Sequence, residues 1–415
     1  MTQGCTAVRR SPNRRFLVTL ASVSLIGPLA INMYLPAMPV IKTVFTASNA
    51  LVGLTYSVAL LVMAFATLVY GSLSDRYGRR PMLLTGLFLF VLGSAISGIA
   101  GSISGLMLGR LIQAVGAGCG VTLARAMARD AYGTEGLVKV IAYLTMAYTL
   151  GPMLSTLCGG VLIDLQGWRS VFWFAASAGL LIGVAAYVVL YETHAKEDIQ
   201  RKHSGYLQEY VALFSHLRFS AFVLQTGFSS GLYYAMAAAA SFLMKDYLGR
   251  SATEFGAYFT AFPIGFLAGS LISSRLTHRF AIETMVLAGS SVTFLAIFIQ
   301  SAIILGGYLS PLIIFIPGFF ITFGQGIALP NAQVGAMRVI PSLSGTAAGV
   351  GVFFQMFLGA VFAQIYSLFA NGTPIPMVAT VFAGSILTLS AGIIPFAQKR
   401  SARNAQDRKI IEEKS

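Results

Sequence analysis

Twelve apolar stretches, each about 20 to 25 residues long, run through this 415-residue chain and constrain its fold more than any other feature. They fall at about 16–40, 50–71, 81–103, 105–127, 138–163 and 170–191. After a polar gap they resume at 219–242, 254–275, 283–305, 311–333, 344–368 and 375–397. Inside hydrocarbon every backbone amide has to be paired within its own segment, so runs of this length read as helices. Composition agrees. Apolar residues make up 56% and charged residues 10%, against the roughly 25% charge of a soluble globule. The expected fold is an all-α integral membrane protein with twelve transmembrane helices. The same numbers argue against a cytosolic enzyme and against a disordered chain. Cys5, Cys119 and Cys158 make no disulfide framework, and two of them sit inside apolar runs as small hydrophobes.

Basic residues set the orientation. With the N-terminus placed inside, 23 of the 28 lysines and arginines fall on inside segments and 4 on outside ones, with Arg110 left within a span. This bias predicts two cytoplasmic termini. It also accounts for the net charge of +14 without nucleic acid, the inside charge facing anionic lipid headgroups. Asn13-Arg14-Arg15-Phe16-Leu17 faintly resembles a twin-arginine export signal, but the apolar run behind it is too long and holds Pro36 and Pro39. It reads as a retained first helix. The organisation is then a cytoplasmic tail over 1–15, a six-helix bundle over 16–191, a linker over 192–218, a second six-helix bundle over 219–397 and a cytoplasmic tail over 398–415. The linker starts polar, with Glu192, Lys196, Glu197, Asp198, Arg201 and Lys202. Leu207, Tyr210, Val211, Phe214 and Leu217 then mark an amphipathic surface helix that straps the halves together. A short repeat relates the halves. Gly71-Ser72-Leu73, Arg76 and Arg80 recur as Gly269-Ser270-Leu271, Arg275 and Arg279, displaced by 198 or 199 residues.

The loop from Gly71 to Pro81 is the most specific signal. Gly71 is expected to let two helix ends approach, Gly78 to allow a tight reversal, and Pro81 to start the next helix. Asp75 is the lone acid among Arg76, Arg79 and Arg80, so it should be paired and ionised. The spacing Gly-x-Leu-x-Asp-Arg-x-Gly-Arg-Arg-Pro resembles the signature between helices 2 and 3 of the major facilitator superfamily. Further segments are similar to the Bcr/CflA branch of twelve-helix bacterial drug:proton antiporters. They are Ile31 to Pro39, Arg110-Leu-Ile-Gln113 with Gly116 and Gly118, Ala124 to Asp130, and Gly159-Gly160 followed by Gly167-Trp168-Arg169. The resemblance covers about 30 to 190 and thins to the helix 8–9 loop with Gly324, Gly326, Pro330 and Asn331. It implies two pseudo-symmetric six-helix bundles, a bacterial inner membrane and export of small amphiphilic compounds coupled to protons. It also implies a conformational gate at Gly71, Asp75, Arg76, Gly78, Arg79, Arg80, Arg125, Arg129 and Asp130. Two positions depart from the branch. Asn32 stands where relatives carry an aspartate that is a proton-carrier candidate, and Ser155-Thr156 stands before Gly159-Gly160 where they carry a proline. Pro152 should still bend helix 5, one turn early, as Pro36 and Pro39 bend helix 1.

Each of the fourteen acids falls in a loop, a tail or a span end, and the four histidines lie in or beside cytoplasmic loops, so no midplane group is left to carry a proton. Arg110 is the lone charge well within a span. Its expected partners are the carbonyls of Asn32 and Leu35, freed because Pro36 and Pro39 cannot donate to them, together with the Asn32 side-chain oxygen; snorkelling to the outer interface is the alternative. Candidates for the cavity lining are Asn32, Gln113, Tyr143, Tyr148, Gln225, Tyr233, Tyr234, Tyr258 and Gln355. Gly116-x-Gly118-x-Gly120 and Gly345-x-x-x-Gly349 read as close helix packing. No phosphate-cradle spacing, metal-ligand cluster or catalytic constellation is present, so no cofactor, metal or nucleic acid is expected. The expected partners are a small-molecule substrate, lipid and protons, acting on a monomer. The rivals are an uptake carrier or facilitator of the same fold and, from another class, a membrane enzyme.

Overall fold

The computed structural model describes residues 13–193 and 206–412. Arg9 and Arg10, the linker residues Lys196, Glu197, Asp198, Arg201 and Lys202, the Leu207 side chain and Lys414 lie outside the described residues. Eleven of the described helices are long and apolar enough to cross a membrane. They are α1 (Arg14–Val44), α2 (Asn49–Tyr77), α3 (Arg79–Ile99), α4 (Ile103–Gly133), α5 (Lys139–Gln166) and α6 (Arg169–Val189) in the first half. In the second half they are α8 (Ala252–Leu276), α9 (Ile282–Leu305), α10 (Pro311–Met337), α11 (Pro341–Phe369) and α12 (Ile375–Arg400). The twelfth expected span, α7 (Leu217–Phe242), forms a helix of similar length but is less apolar. Its position explains the difference. Nearly all of α7 is buried, so its polar side chains meet protein rather than lipid. Gln225 Nε2 donates to Ser290 Oγ at 3.1 Å, and the Ser229 carbonyl accepts from Gln325 Nε2 at 2.6 Å. A helix enclosed by other helices need not be lipophilic all round.

Punctuation follows the sequence. Gly78, at φ 96°, reverses the chain between α2 and α3 in a region that a side chain rarely adopts. The Glu192 carboxylate accepts from the Arg79 and Arg80 amides at 3.0 and 3.1 Å, satisfying two of the orphan donors that start α3. Gly133, at φ 62°, separates α4 from α5. The linker helix runs Tyr206–Phe214. Leu213 is fully buried against Phe219 and Phe222, with Tyr210 packed beside it. Val211 and Phe214 are exposed on the same helix, and Leu217 belongs to the next one, because the chain breaks at Ser215 and His216 before entering α7.

Small residues set the helix spacing. A side chain at Gly93 on α3 would overlap the Gln113 backbone of α4, and one at Gly116 would overlap the backbone at Phe90. In the second half Gly289 of α9 and Gly324 of α10 stand in the same relation. Gly116, Gly118 and Gly120 do mark close packing, but against three different helices: α3, α2 and α1. Two expectations are corrected. Gly71 and Gly345 have nothing within 4 Å, and Gly349, which lines the cavity described below, has only ordinary contact with Leu68. Gly93→Val should therefore cost at least about 1–3 kcal/mol through overpacking, whereas Gly345→Val should be close to neutral. Thermal denaturation of the two purified variants checks the contrast.

Candidate functional site

A cavity of about 1350 Å³ lies between the two halves. It opens on the face that carries the α2–α3 loop and the α12 tail, since His216, Arg218, Phe280, Arg338 and Lys399 line its mouth. We call this the basic face. At the closed end Asn32 of α1 projects into the cavity, its Oδ1 accepting from Tyr233 of α7 at 3.2 Å and its Nδ2 donating to the Pro28 carbonyl at 3.4 Å. Five of the nine candidate residues line this space: Asn32, Tyr148, Tyr233, Tyr234 and Gln355. The other four do not. Gln113 is buried in the first half, Gln225 is held by Ser290, Tyr258 stacks on Phe315, and Tyr143 is 41% exposed away from the cavity. Aromatic type alone does not say which way a helix faces. Sequence reading missed Thr145 and Thr149, which with Tyr148 and Pro152 occupy one face of α5 at i, i+3, i+4 and i+7. That polar stripe in an apolar span was the available signal.

The opposite face is shut by contacts that cross between halves. Lys42 Nζ meets Asp246 Oδ2 at 2.6 Å. The Asp164 carboxylate accepts from the amides of Ala252 and Thr253 at 3.2 and 2.7 Å, capping the start of α8 from α5. Ser57 of α2 and Gln364 of α11 are 2.7 Å apart. Gly160 allows the Ala252 backbone to reach α5, and Gly256 of α8 meets the Thr156 and Leu157 backbone. Gly159 instead faces Met33 of α1, so the glycine pair of α5 serves two neighbours.

Prolines 36 and 39 do free carbonyls in α1, and other groups than Arg110 take them. The Thr156 hydroxyl is shared between the Pro152 carbonyl at 2.8 Å and the Asn32 carbonyl at 3.3 Å. The Leu35 carbonyl accepts from Ser241 Oγ at 2.5 Å and from the Met38 amide. Asn32 and Thr156 are the two positions that depart from the resembled pattern, and they meet. Arg110 is 1% exposed and lies outside the cavity wall. Its Nη1 donates at 2.6 Å to both the Ala30 carbonyl and Gln113 Oε1, and its guanidinium lies 4.3 Å from the Tyr34 ring centroid. Gln113 passes the chain on to Ser94 of α3 at 2.8 Å, and Tyr34 to Thr55 of α2 at 2.5 Å. The expected bridge from α4 to α1 exists, but its acceptor is Ala30, two residues before Asn32, and the buried side chain does not snorkel.

On the basic face Arg79 is 4% exposed and held between two acids, Asp75 at 2.5 Å and Asp130 at 3.1 Å, with Ser74 Oγ at 2.6 Å. Arg129 reaches Asp130 at 3.7 Å. Arg80 donates to the Tyr187 carbonyl at 2.7 Å, and Arg76 is exposed beside Tyr77. Arg125 is not part of this cluster; it faces the cavity. In the second half the inverse arrangement occurs, with Glu283 accepting from Arg218 and from Lys399, the latter at 2.9 Å. Among the described residues no group of three His, Cys, Asp or Glu side chains could hold a metal ion.

The Major Facilitator Superfamily profile matches residues 20–364 of this chain. A bicyclomycin resistance protein homolog of Haemophilus influenzae is 24% identical, over 91% of this chain and 94% of its own length. Multidrug resistance protein D of Escherichia coli K12 is 27% identical, over 87% and 90% respectively. Among solved structures, a D-xylose-proton symporter superposes with a TM-score of 0.74 at 14% identity, covering 92% of this chain and 97% of its own.

Arg110→Lys keeps a charge but loses the planar guanidinium, whose Nη1 serves Ala30 and Gln113 while its face lies against the Tyr34 ring. Both Arg110→Lys and Arg110→Ala should lower thermal stability and reduce vesicle uptake of a cationic, a neutral and an anionic compound by the same factor. Loss confined to the anion would make Arg110 a substrate contact instead.

Proposed function

The chain belongs to the Major Facilitator Superfamily, and we propose that it is a secondary transporter exporting small amphiphilic compounds, drugs among them, across a bacterial inner membrane by alternating access. The observation that carries this reading is the cavity itself: it lies between two halves, opens on one face and is sealed on the other by contacts that join one half to the other. Its aromatic and hydroxyl lining suits bulky amphiphiles. The drug-resistance names of two relatives agree with this cargo. The excess of Lys and Arg on the basic face makes that face cytoplasmic and both termini internal, so the structure is the inward-open state. On this reading the protein acts as a monomer and needs no cofactor.

Coupling to protons belongs to this reading, and it has to use a group other than position 32, where an amide cannot titrate. Glu283 is the one acid among the cavity-lining residues. A facilitator of the same fold is the second reading, favoured by the absence of an acid from the closed end of the cavity among the described residues. A strain with and without the protein, challenged with a drug panel, decides between them. Lower accumulation that a protonophore abolishes supports coupled export; accumulation unaffected by the protonophore supports the facilitator. Introducing Asn32→Asp should add a further pH dependence to transport, set by the new carboxylate and separate from any that the wild-type protein shows.

Gating gives two further expectations. Lys42→Cys with Asp246→Cys, bridged by a short bifunctional methanethiosulfonate, should stop transport until a reductant is added. Asp75→Asn should reach the membrane and transport poorly, because Arg79 then keeps one acid of its two; wild-type flux in this variant would remove Asp75 from the gate.

A further inference from the structure

We propose that Arg125 is an anion-binding point inside the cavity, and that the transported amphiphiles include compounds carrying an ionised carboxylate or sulfonate on an aromatic body. This inference rests on the transporter reading and adds the substrate class.

Arg125 lies on α4, five residues before Asp130, which places it about 7.5 Å above the basic-face charge cluster along the helix axis. It is exposed, and the surface it is exposed to is the cavity. Thr122 lies one turn earlier on the same face of α4, and α5 presents Thr145, Tyr148 and Thr149 to the same space. A guanidinium with five donors thus sits among hydroxyls that can donate to the same acceptor.

Charge accounting separates Arg125 from the other cations. Asp130, one turn and a half along the same helix, is engaged with Arg79 and Arg129, and Glu283, the one acid among the described cavity-lining residues, is engaged with Arg218 and Lys399. Among the described residues the Arg125 side chain makes no salt bridge and no hydrogen bond. An unpaired guanidinium partly removed from bulk water favours a planar acid, which it can engage through two parallel bonds. A cationic ligand at the same depth would meet like charge without a free carboxylate to offset it. The ligand's apolar body has a place on the second half, where Tyr233, Tyr234, Phe262 and Phe266 line the cavity.

The test uses the full-length protein purified in a neutral detergent without added lipid. Three ligands share one aromatic body: naphthalene-2-sulfonate, naphthalene-2-sulfonamide and 2-naphthyltrimethylammonium. Calorimetric titration should find the sulfonate bound at least about tenfold more tightly than the sulfonamide, the factor expected from charge-assisted hydrogen bonds, with the ammonium weakest. In Arg125→Gln the sulfonate-to-sulfonamide ratio should fall to about one. In Arg125→Lys, which also covers failure of the glutamine variant to fold, it should fall part of the way. Equal affinities in wild type, or an unchanged ratio in either variant, would overturn the assignment. So would an equal loss of preference in Arg338→Gln, which would make the selectivity a field of the mouth. Displacement of the sulfonate by dioctanoylphosphatidylglycerol at similar concentration would make the occupant a lipid headgroup and also overturn it. Binding of the neutral ligand without anion preference leaves the transporter reading standing while this inference fails; binding of none, with no flux in the drug panel, removes both.

Discussion

A proline inside a membrane helix strands a carbonyl where water cannot reach it, and in α1 Pro36 and Pro39 do this to carbonyls three residues apart. The partners that answer Asn32 and Leu35 decide how α1 is held. Thr156 ties it to α5 of its own half, and Ser241 ties it to α7 of the other. The two bonds differ in what their loss would cost. Leu35 also receives the Met38 amide, so Ser241 can depart without orphaning the carbonyl. Asn32 depends on the Thr156 hydroxyl, which stays within one half whatever the other does. Helix α1 is therefore fixed to its own bundle and released cheaply by its neighbour.

Charge clusters divide in the same way. On the basic face the groups around Arg79 and Glu283 each stay within one half, so the mouth can be open without breaking them. On the opposite face the links cross, from Lys42 to Asp246 and from Asp164 to the start of α8. The conformation is set by which ion pairs span the halves. The short sequence repeat survives in position and not in chemistry: Gly269 packs on the Phe323 backbone, while Gly71 has open space. Arg79 gathers two acids in one half; in the other, Glu283 gathers two cations from the ends of α7 and α12.

The fold was legible because its cause is one-dimensional. A span needs only length and apolarity, and the paired Asp75 needs only the absence of other acids nearby. The site was half legible. Tyr148, Tyr233 and Tyr234 line the cavity while Tyr143 and Tyr258 do not, because the facing of a helix in a bundle depends on neighbours that the period of that helix does not name. Arg110 was seen as a bridge from α4 to α1, but its acceptor is the Ala30 carbonyl, two residues before the expected Asn32. The sequence shows which carbonyls proline frees; it does not show that hydroxyls from α5 and α7 arrive first.

The burial of α7 bears on how the chain is made. A segment with Gln225, Thr226, Ser229 and Ser230 near its middle partitions weakly into lipid by itself. Its stability in the bilayer comes from α9 through Gln225, from α10 through Gln325 and from the glycine contacts with α11. All three are synthesised after it. During biosynthesis α7 must wait, at the translocon or at the bilayer surface, until the rest of its bundle emerges. The second half consequently assembles as a unit, whereas the first half can insert helix by helix as it leaves the ribosome.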